Sequence, residues 1–254
     1  MRHSILILGG TTEARQIAEW LMAMNRFRLE LSLAGRTSQP VEQPVPVRVG
    51  RFGGAEGLAG YLAAGNKVDL LIDATHPYAA RISANAAKAA SLSGTPLVAL
   101  RRPGWERQAG DRWTEVDSVE QAVASLGNMP RRAFLALGRQ ELLPFEQAPQ
   151  HVYLVRSVDQ VEPPLDLPRV TYLTARGPFR EADERALLQA SGIEVIVCKN
   201  SGGAASYGKI AAARALALEV VMIRRPVLPD VASFDSVDAL ADHVAQAFPQ
   251  ERGE

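Results

Sequence analysis

Residues 5–14 read ILILGGTTEA, a short apolar run followed by a glycine turn and the start of a helix. A continuous apolar run of this length is typical of a strand buried on both faces of a sheet. Thr11 or Thr12 can cap the helix that follows, and Glu13 lies in its first turn. A strand, a glycine turn and a helix in this order predict the opening unit of an α/β fold.

The same alternation continues through the first 100 residues. We predict further strands at 29–33, 47–49, 68–73 and 97–100, and helices through residue 21 and over 54–64 and 78–90. Strands that alternate with helices form a parallel sheet with helices on both of its faces. The first half of the chain therefore belongs to the α/β class.

The second half repeats this plan in the same order. Phe134–Leu137 followed by Gly138 corresponds to the first strand and its glycine. A strand followed by Arg-Arg-Pro occurs at both 97–103 and 220–226. Sequence features that recur in the same order, with nearly the same number of residues between the corresponding features, indicate two related halves.

The repeat predicts two similar Rossmann-like lobes with parallel sheets and a ligand cleft between them. We assign residues 1–129 to the domain that carries the glycine turn. Residues 130–254 then form a second α/β domain on the substrate side of the cleft.

The composition excludes several classes of protein. Apolar residues make up 47% of the chain and charged residues 22%, which excludes a disordered or fibrous protein. The 28 basic and 28 acidic residues cancel, so we expect no nucleic-acid partner. No apolar run reaches the roughly 18 residues of a membrane span, and the apolar start meets the glycine turn too early for a signal peptide. We therefore expect a soluble, cytoplasmic protein with no membrane partner.

Motifs of hydrolases and metalloenzymes are missing from the sequence. It contains no G-x-S-x-G, Walker, H-E-x-x-H or paired-cysteine pattern, so we expect no metal site. The single cysteine, Cys198, excludes a disulfide within the chain. Its place inside a predicted strand favours a core residue over a nucleophile.

The glycine turn resembles the dinucleotide fingerprint G-x-G-x-x-G/A. Gly9 and Ala14 fit its first and last positions, while Thr11 replaces the second glycine. Backbone N–H groups of such a turn and a helix N-terminus suit a pyrophosphate, although a turn without a ligand is the alternative. The candidate cofactor residues of this turn are Gly9, Gly10, Thr11, Thr12 and Glu13.

The end of the next strand favours NADP over NAD. An NAD site usually carries an acid there for the ribose hydroxyls, and this strand end has none. Arg36 followed by Thr37 and Ser38 suits a 2′-phosphate. The alternative is a solvated loop arginine.

A polar loop over 73–78 follows the next buried strand. Its carboxylate, hydroxyl, imidazole and phenol groups lie at the sheet edge where ligands of α/β folds bind. Asp73, Ala74 and Thr75 are candidate cofactor residues. His76 could donate a proton, hold a phosphate or amide, or merely cap a helix, and Tyr78 could act in catalysis or staple the next helix.

The corresponding loop of the second half is rich in glycine and hydroxyl groups. Lys199 supplies positive charge, and residues 200–203 offer small polar groups and open N–H donors for an anion. Tyr207 and Lys209 follow at the start of the next helix. This loop holds either a substrate or the cofactor's phosphates from the far side.

Together these motifs resemble the precorrin-6A reductase family of cobalamin biosynthesis, which includes the cobalt-precorrin-6A reductases. The resemblance rests on LGGTTEAR at 8–15, GR at 35–36, DATHPYA at 73–79, KNSGG at 199–203, YGKIAAAR at 207–214 and VVMIRRP at 220–226. Ser206 stands where this family usually has threonine, a change that keeps the hydroxyl.

The resemblance implies NADPH-dependent reduction of one carbon–carbon double bond in a tetrapyrrole, converting precorrin-6A to precorrin-6B. On this reading His76 and Tyr78 are the catalytic candidates. The candidate residues for the acidic substrate are Arg139, Lys199, Asn200, Ser201, Gly202, Gly203, Tyr207 and Lys209.

Other functions and properties stay open at this point. A short-chain reductase needs a Tyr-x-x-x-Lys pair, but Ile82 holds the fourth place after Tyr78. A non-catalytic NADP-sensing module would bind the cofactor without any tetrapyrrole. The sequence also leaves open the presence of cobalt in the substrate and the oligomeric state.

Overall fold

The computed structural model describes residues 2–35, 41–64 and 67–249. The chain forms two compact units, one of residues 1–103 and 226–254 and one of residues 104–225. Among the described residues, no helix has both the length and the apolar character to cross a membrane.

Both units consist of strands and helices in alternation. The strands are β1 (His3–Leu8), β2 (Phe27–Leu33), β3 (Val47–Val49), β4 (Leu70–Asp73), β5 (Leu97–Leu100), β6 (Arg112–Val116), β7 (Arg132–Ala136), β8 (Val152–Ser157), β9 (Val170–Thr174), β10 (Val195–Lys199), β11 (Glu219–Ile223) and β12 (Ser233–Phe234). The α-helices are α1 (Thr12–Ala23), α2 (Gly54–Ala63), α3 (Ala80–Ser93), α4 (Val119–Ser125), α5 (Glu181–Ala190), α6 (Gly208–Ala215) and α7 (Val237–Ala247). Short 3₁₀ turns lie at Arg139–Glu141, Leu143–Gln147 and Ala204–Ser206.

Each unit contains one parallel sheet with the strand order of a Rossmann fold. In the first unit the order is β3-β2-β1-β4-β5-β12, and in the second it is β9-β8-β7-β10-β11-β6. Both correspond to the order 3-2-1-4-5-6 of dinucleotide-binding folds. The predicted α/β class with two similar Rossmann-like lobes is confirmed.

The two halves of the chain exchange their last strand and helix. β6 pairs with β11 of the second sheet, and β12 pairs with β5 of the first. The chain therefore passes between units at 103–104, directly after the first Arg-Arg-Pro, and at 225–226, between the arginines and the proline of the second, and not at the predicted boundary 129–130. A repeat reveals the order of elements, but hydrogen bonding between distant strands selects the sheet that each one joins.

The core of the first unit explains why β1 reads as a continuous apolar run. Ile5 and Ile7 pack on the face that α1 and α7 cover, while Leu6 and Leu8 pack on the face of α2 and α3. All four side chains are buried. Helices on both faces leave the strand ends as the place where polar side chains can gather.

Candidate functional site

The first unit has the ligand position of a Rossmann fold between β1 and β4. The strand order reverses direction at this point, and open α/β sheets bind ligands outside the carboxyl ends of the two strands. Leu8 at the end of β1 pairs with Asp73 at the end of β4, and the Ala74 N–H donates to the Leu8 carbonyl at 3.0 Å. The glycine turn and the 73–78 loop therefore leave neighbouring strand ends, as predicted.

Gly10 and Thr11 shape the glycine turn. Gly10 has a φ of +109°, a conformation that favours glycine. The Thr11 hydroxyl accepts a hydrogen bond from the Ala14 N–H at 3.0 Å and donates to the Ala74 carbonyl at 2.9 Å. Thr11 rather than Thr12 thus caps α1, and it ties the turn to the loop after β4.

The remaining residues of the turn differ in their surroundings. The Gly9 N–H donates to the Ser32 carbonyl at 3.0 Å, and Thr12 is exposed in the first turn of α1. The Glu13 carboxylate forms an ion pair with Arg102 at 2.5 Å. Arg102, which the motifs do not single out as a site residue, therefore lies beside the glycine turn.

Asp73 is a buried anchor of the loop after β4. Its carboxylate accepts hydrogen bonds from the Thr75 N–H at 3.1 Å, the Thr75 hydroxyl at 2.7 Å and the Arg101 guanidinium at 2.6 Å. Burial alone would raise the pKa of Asp73, but the Arg101 charge and the hydrogen bonds outweigh it and hold the pKa below its ordinary value. Asp73 is therefore ionised and fixes Arg101 at this strand end.

Arg101 has a second guanidinium nitrogen that could serve a ligand. Its Nη1 is buried and has no hydrogen-bond partner among the described residues. Buried donors are normally paired, so an anionic oxygen near this strand end would complete the arrangement. This orphaned donor and the capped glycine turn fit the phosphates of a dinucleotide.

His76 and Tyr78 lie next to each other in the loop, both half-buried. The Tyr78 N–H donates to His76 Nδ1 at 3.3 Å, and the two ring centroids are 5.6 Å apart. The Ala79 N–H donates to the His76 carbonyl at 2.8 Å. With Nδ1 accepting, the neutral imidazole carries its proton on Nε2. The predicted residues Arg36, Thr37 and Ser38 lie outside the described residues.

The corresponding point of the second unit lies between β7 and β10. Lys199 ends β10 and forms an ion pair with Glu141, whose other carboxylate oxygen accepts from the Gly138 N–H at 3.2 Å. Arg139 is exposed at the start of the same 3₁₀ turn. Glu141 thus holds the Lys199 ammonium beside the turn after β7.

The loop after Lys199 is internally organised. The Ser201 and Ser206 hydroxyls lie 3.1 Å apart within hydrogen-bond reach, and Gly202 has a φ of +74° that favours glycine. Gly203 accepts a hydrogen bond from the Ser206 N–H at 3.3 Å. The loop is therefore a shaped turn at the end of β10.

Asn200 holds the segment that follows the first passage between units. Its Oδ1 accepts from the Trp105 N–H at 2.6 Å, and its Nδ2 donates to the Trp105 carbonyl at 2.9 Å. A Cβ at Gly104 would lie 3.2 Å from the Asn200 amide, a tight contact that a larger residue could make only if the amide shifted by a few tenths of an ångström. The Asn200 carbonyl accepts from the Arg225 Nε at 2.8 Å.

Lys209 and Tyr207 contact the Trp105 ring. Lys209 is only 4% exposed, donates to the Ser206 carbonyl at 2.7 Å and lies 4.7 Å from the ring centroid. Burial lowers the pKa of Lys209. The Tyr207 ring lies 5.9 Å from that of Trp105, and its hydroxyl accepts from Arg214 at 2.8 Å. Neither side chain extends from the protein as a surface group would.

Two further features concern metals and the cysteine. Within the described ranges, no three His, Cys, Asp or Glu side chains are grouped so as to hold a metal ion.

Cys198 is fully buried in the core of the second unit, which confirms its interpretation as a core residue. Burial raises the pKa of its thiol, which keeps it protonated.

The sequence profile of the precorrin-6x reductases CbiJ/CobK matches residues 4–245. The chain belongs to the precorrin-6x reductase family. It is similar to a precorrin-6A reductase of Sinorhizobium sp, with 57% identity over 95% of this chain and 92% of the relative. A precorrin-6A reductase of Rhodobacter capsulatus is 48% identical over 95% of this chain and 97% of the relative. The solved structure of CobK precorrin-6A reductase has a TM-score of 0.92 and 44% identity, covering 99% of this chain and 100% of that one.

Membership in the precorrin-6x reductase family makes the chain an oxidoreductase. Four residues join its candidate sites without having been predicted: Arg101, Arg102, Trp105 and Glu141. The Arg-Arg-Pro repeat was a signal for the two arginines, because each follows a strand end. Trp105 and Glu141 carry no such signal, since only the folded chain brings them to Asn200 and Lys199.

Proposed function

We propose that this precorrin-6x reductase family member reduces one carbon–carbon double bond of precorrin-6A with NADPH, giving precorrin-6B in cobalamin biosynthesis. The observation that carries the proposal is the 57% identity with a precorrin-6A reductase over 95% of the chain. The enzyme would act in the cytoplasm. Its substrate is the cobalt-free macrocycle, because the relatives at 57% and 48% identity are named precorrin-6A reductases.

The first unit supplies the residues that would hold NADPH. The glycine turn (Gly9, Gly10, Thr11, Thr12) and the N-terminus of α1 suit the pyrophosphate. The loop residues Asp73, Ala74 and Thr75 lie at the adjoining strand end, where the unpaired Arg101 donor also lies. Arg36, Thr37 and Ser38 would hold the 2′-phosphate. When bound, NADPH supplies the hydride for the reduction.

The loop after β4 would place a proton where the reduction needs it. Reduction of a double bond takes one hydride and one proton, and His76 Nε2 or the Tyr78 hydroxyl can carry that proton. The hydrogen bond from the Tyr78 N–H to His76 Nδ1 orients the imidazole. These two side chains would therefore act in turnover more than in binding.

The second unit would hold the acidic macrocycle. Lys199, kept in place by Glu141, and the exposed Arg139 offer positive charge at the switch point between β7 and β10. Such local charge suits carboxylate side chains even though the chain has no net charge. The loop over 200–203 shapes the surroundings of this charge.

A direct assay tests the proposal. The pure protein is mixed with NADPH and precorrin-6A, and NADPH absorbance and the visible spectrum of the tetrapyrrole are followed together. We expect both to change in equal molar amounts. Binding of NADPH without any spectral change of the tetrapyrrole would favour a non-catalytic NADP-sensing module. Turnover of the cobalt-loaded substrate alone would assign the cobalt-precorrin reaction instead.

A further inference from the structure

A pocket in the second unit lies outside every predicted site residue. It has a volume of about 390 Å³ and is lined by Trp105, Arg107, Trp113, Glu115 and Arg224. This volume is within the range of small-ligand pockets, about 300–1,000 Å³. Of its lining residues only Arg224 belongs to a quoted motif, VVMIRRP, and no role was predicted for it there.

The pocket lies along β6, the edge strand of the sheet that carries Lys199, and extends to the residue that follows β11. Trp113 and Glu115 occupy alternate positions on β6, so they share one face of the sheet. Arg224 follows Ile223, the residue of β11 that pairs with Lys199. Because β10 and β11 are neighbouring strands, Ile223 lies one strand spacing, about 4.8 Å, from Lys199.

Three predicted substrate residues converge on one wall of this pocket. Asn200 holds both the N–H and the carbonyl of Trp105, while Lys209 and Tyr207 contact its ring. Each of these side chains belongs to the KNSGG or YGKIAAAR stretch. Both stretches therefore fix the position of Trp105.

The walls and rim of the pocket suit a flat, acidic group. Trp105 and Trp113 are 9% and 8% exposed, and neither indole N–H has a hydrogen-bond partner in the described part of the chain. Arg107 is exposed at the rim. Arg224 is held there by Asp117 at 2.8 Å and by Glu115 at 4.0 Å. Aromatic rings pack against planar groups, and guanidinium groups recognise carboxylates.

We propose that this pocket is a subsite for one carboxylate-bearing pyrrole ring of the tetrapyrrole substrate. The proposal rests on the proposed function and names a second contact for the same macrocycle, beside the Lys199 loop. A cavity of about 150 Å³ accommodates benzene, so the larger pocket has room for a five-membered ring with its acidic arms. The ring packs against the tryptophans, and its carboxylate pairs with Arg107.

Two substitutions test the subsite. Arg107→Gln removes the exposed charge, and Trp113→Phe removes an indole N–H that pairs with nothing in the described protein. Arg185→Gln is the matched control, because Arg185 is an exposed arginine of α5 in the same unit. All are made in a Trp20→Phe background, where Trp105 and Trp113 report binding by fluorescence, or Trp105 alone in the Trp113→Phe variant.

The measurement is the Kd of precorrin-6A without NADPH, followed by kcat and KM with NADPH. We expect Arg107→Gln to raise Kd and KM about five- to tenfold with kcat nearly unchanged. Trp113→Phe should raise them severalfold, with circular dichroism confirming the fold. Arg185→Gln should change neither.

Three outcomes would overturn the subsite. The first is an unchanged Kd in both pocket variants while the parent still turns over, which leaves the proposed function standing. The second is an equal loss in Arg185→Gln, which shows only a general charge effect. The third is a parent protein that binds no precorrin-6A, which overturns the proposed function as well. If precorrin-6A binds tightly, Arg107→Gln weakens that binding and no precorrin-6A is reduced, the result supports the subsite and contradicts only the proposed reductase activity.

Discussion

Replacing Asp73 by asparagine tests the ionised anchor at the end of β4. The Asp73 side chain is 1% exposed and that of Arg101 is 18% exposed. Asp73→Asn keeps the shape and one acceptor but leaves the Arg101 charge without its partner. Removing one member of a buried pair typically costs about 3–5 kcal/mol. Because Arg101 retains some contact with water, we expect the lower end, about 3 kcal/mol, or roughly 150-fold in the unfolding equilibrium.

The pH dependence of this effect has a definite sign. The pKa of Asp73 is lowered in the folded protein, so its stabilisation is present above the unfolded value, about 3.9. That stabilisation is lost as the pH falls through this value toward the folded pKa. The difference in stability between the parent protein and Asp73→Asn should therefore be constant near neutral pH and shrink below about pH 4.

Hydrogen exchange of the β1 and β4 amides measures this stability within the first unit. Urea unfolding at a series of pH values from 7 to 3.5 then measures how the difference in stability between the parent and Asp73→Asn depends on pH. Asp183→Asn is the matched control, because its ion pair with Arg180 has side chains that are 60% and 81% exposed. We expect that variant to match the parent protein. Equal stability of Asp73→Asn and the parent at pH 7 would refute the reasoning.

Three further predictions concern the candidate sites. Arg36→Ala should weaken the binding of NADPH by roughly 10–150-fold and the binding of NADH far less, because it removes a charge-assisted contact to the 2′-phosphate. Titrating the protein with each cofactor measures both affinities, and an equal loss for the two would contradict the role of Arg36. His76→Asn and Tyr78→Phe should lower kcat by about 100-fold while the Kd of NADPH changes little. If both leave kcat intact, the loop is only architectural. Lys199→Ala should raise the Kd of precorrin-6A and make binding less salt-sensitive, with the Kd of NADPH unchanged. Collapse of NADPH binding would assign this loop to the cofactor.

Most first-unit elements could be predicted because they depend on local patterns. The strands at 47–49 and 97–100 have the predicted bounds, and the predicted helix at 54–64 is Gly54–Ala63. The helix predicted over 78–90 instead runs over Ala80–Ser93 and ends at Gly94, whose φ is +70°. Ser91, Leu92 and Ser93 continue the helix past the predicted end until Gly94 supplies the left-handed cap.

The candidate sites were predictable in part. The glycine turn and the 73–78 loop lie at adjoining strand ends, because parallel strands present their carboxyl ends at one edge. The partners of the polar groups were not predictable. Asp73 meets Arg101 across 28 positions of sequence, and Asn200 meets Trp105 across 95.

The apolar run of β1, the glycine turn and the repeated Arg-Arg-Pro are local or periodic features, so the amino-acid order alone establishes the α/β class and the two related halves. The pairing of β6 with β11 and of β12 with β5 is established only by folding. Either edge would satisfy the local pattern of these strands, and the choice depends on backbone hydrogen bonds between distant segments. The burial of Lys209 against Trp105 is likewise established only by folding. Lysines are usually exposed, and nothing in the sequence around Lys209 indicates that its side chain is buried.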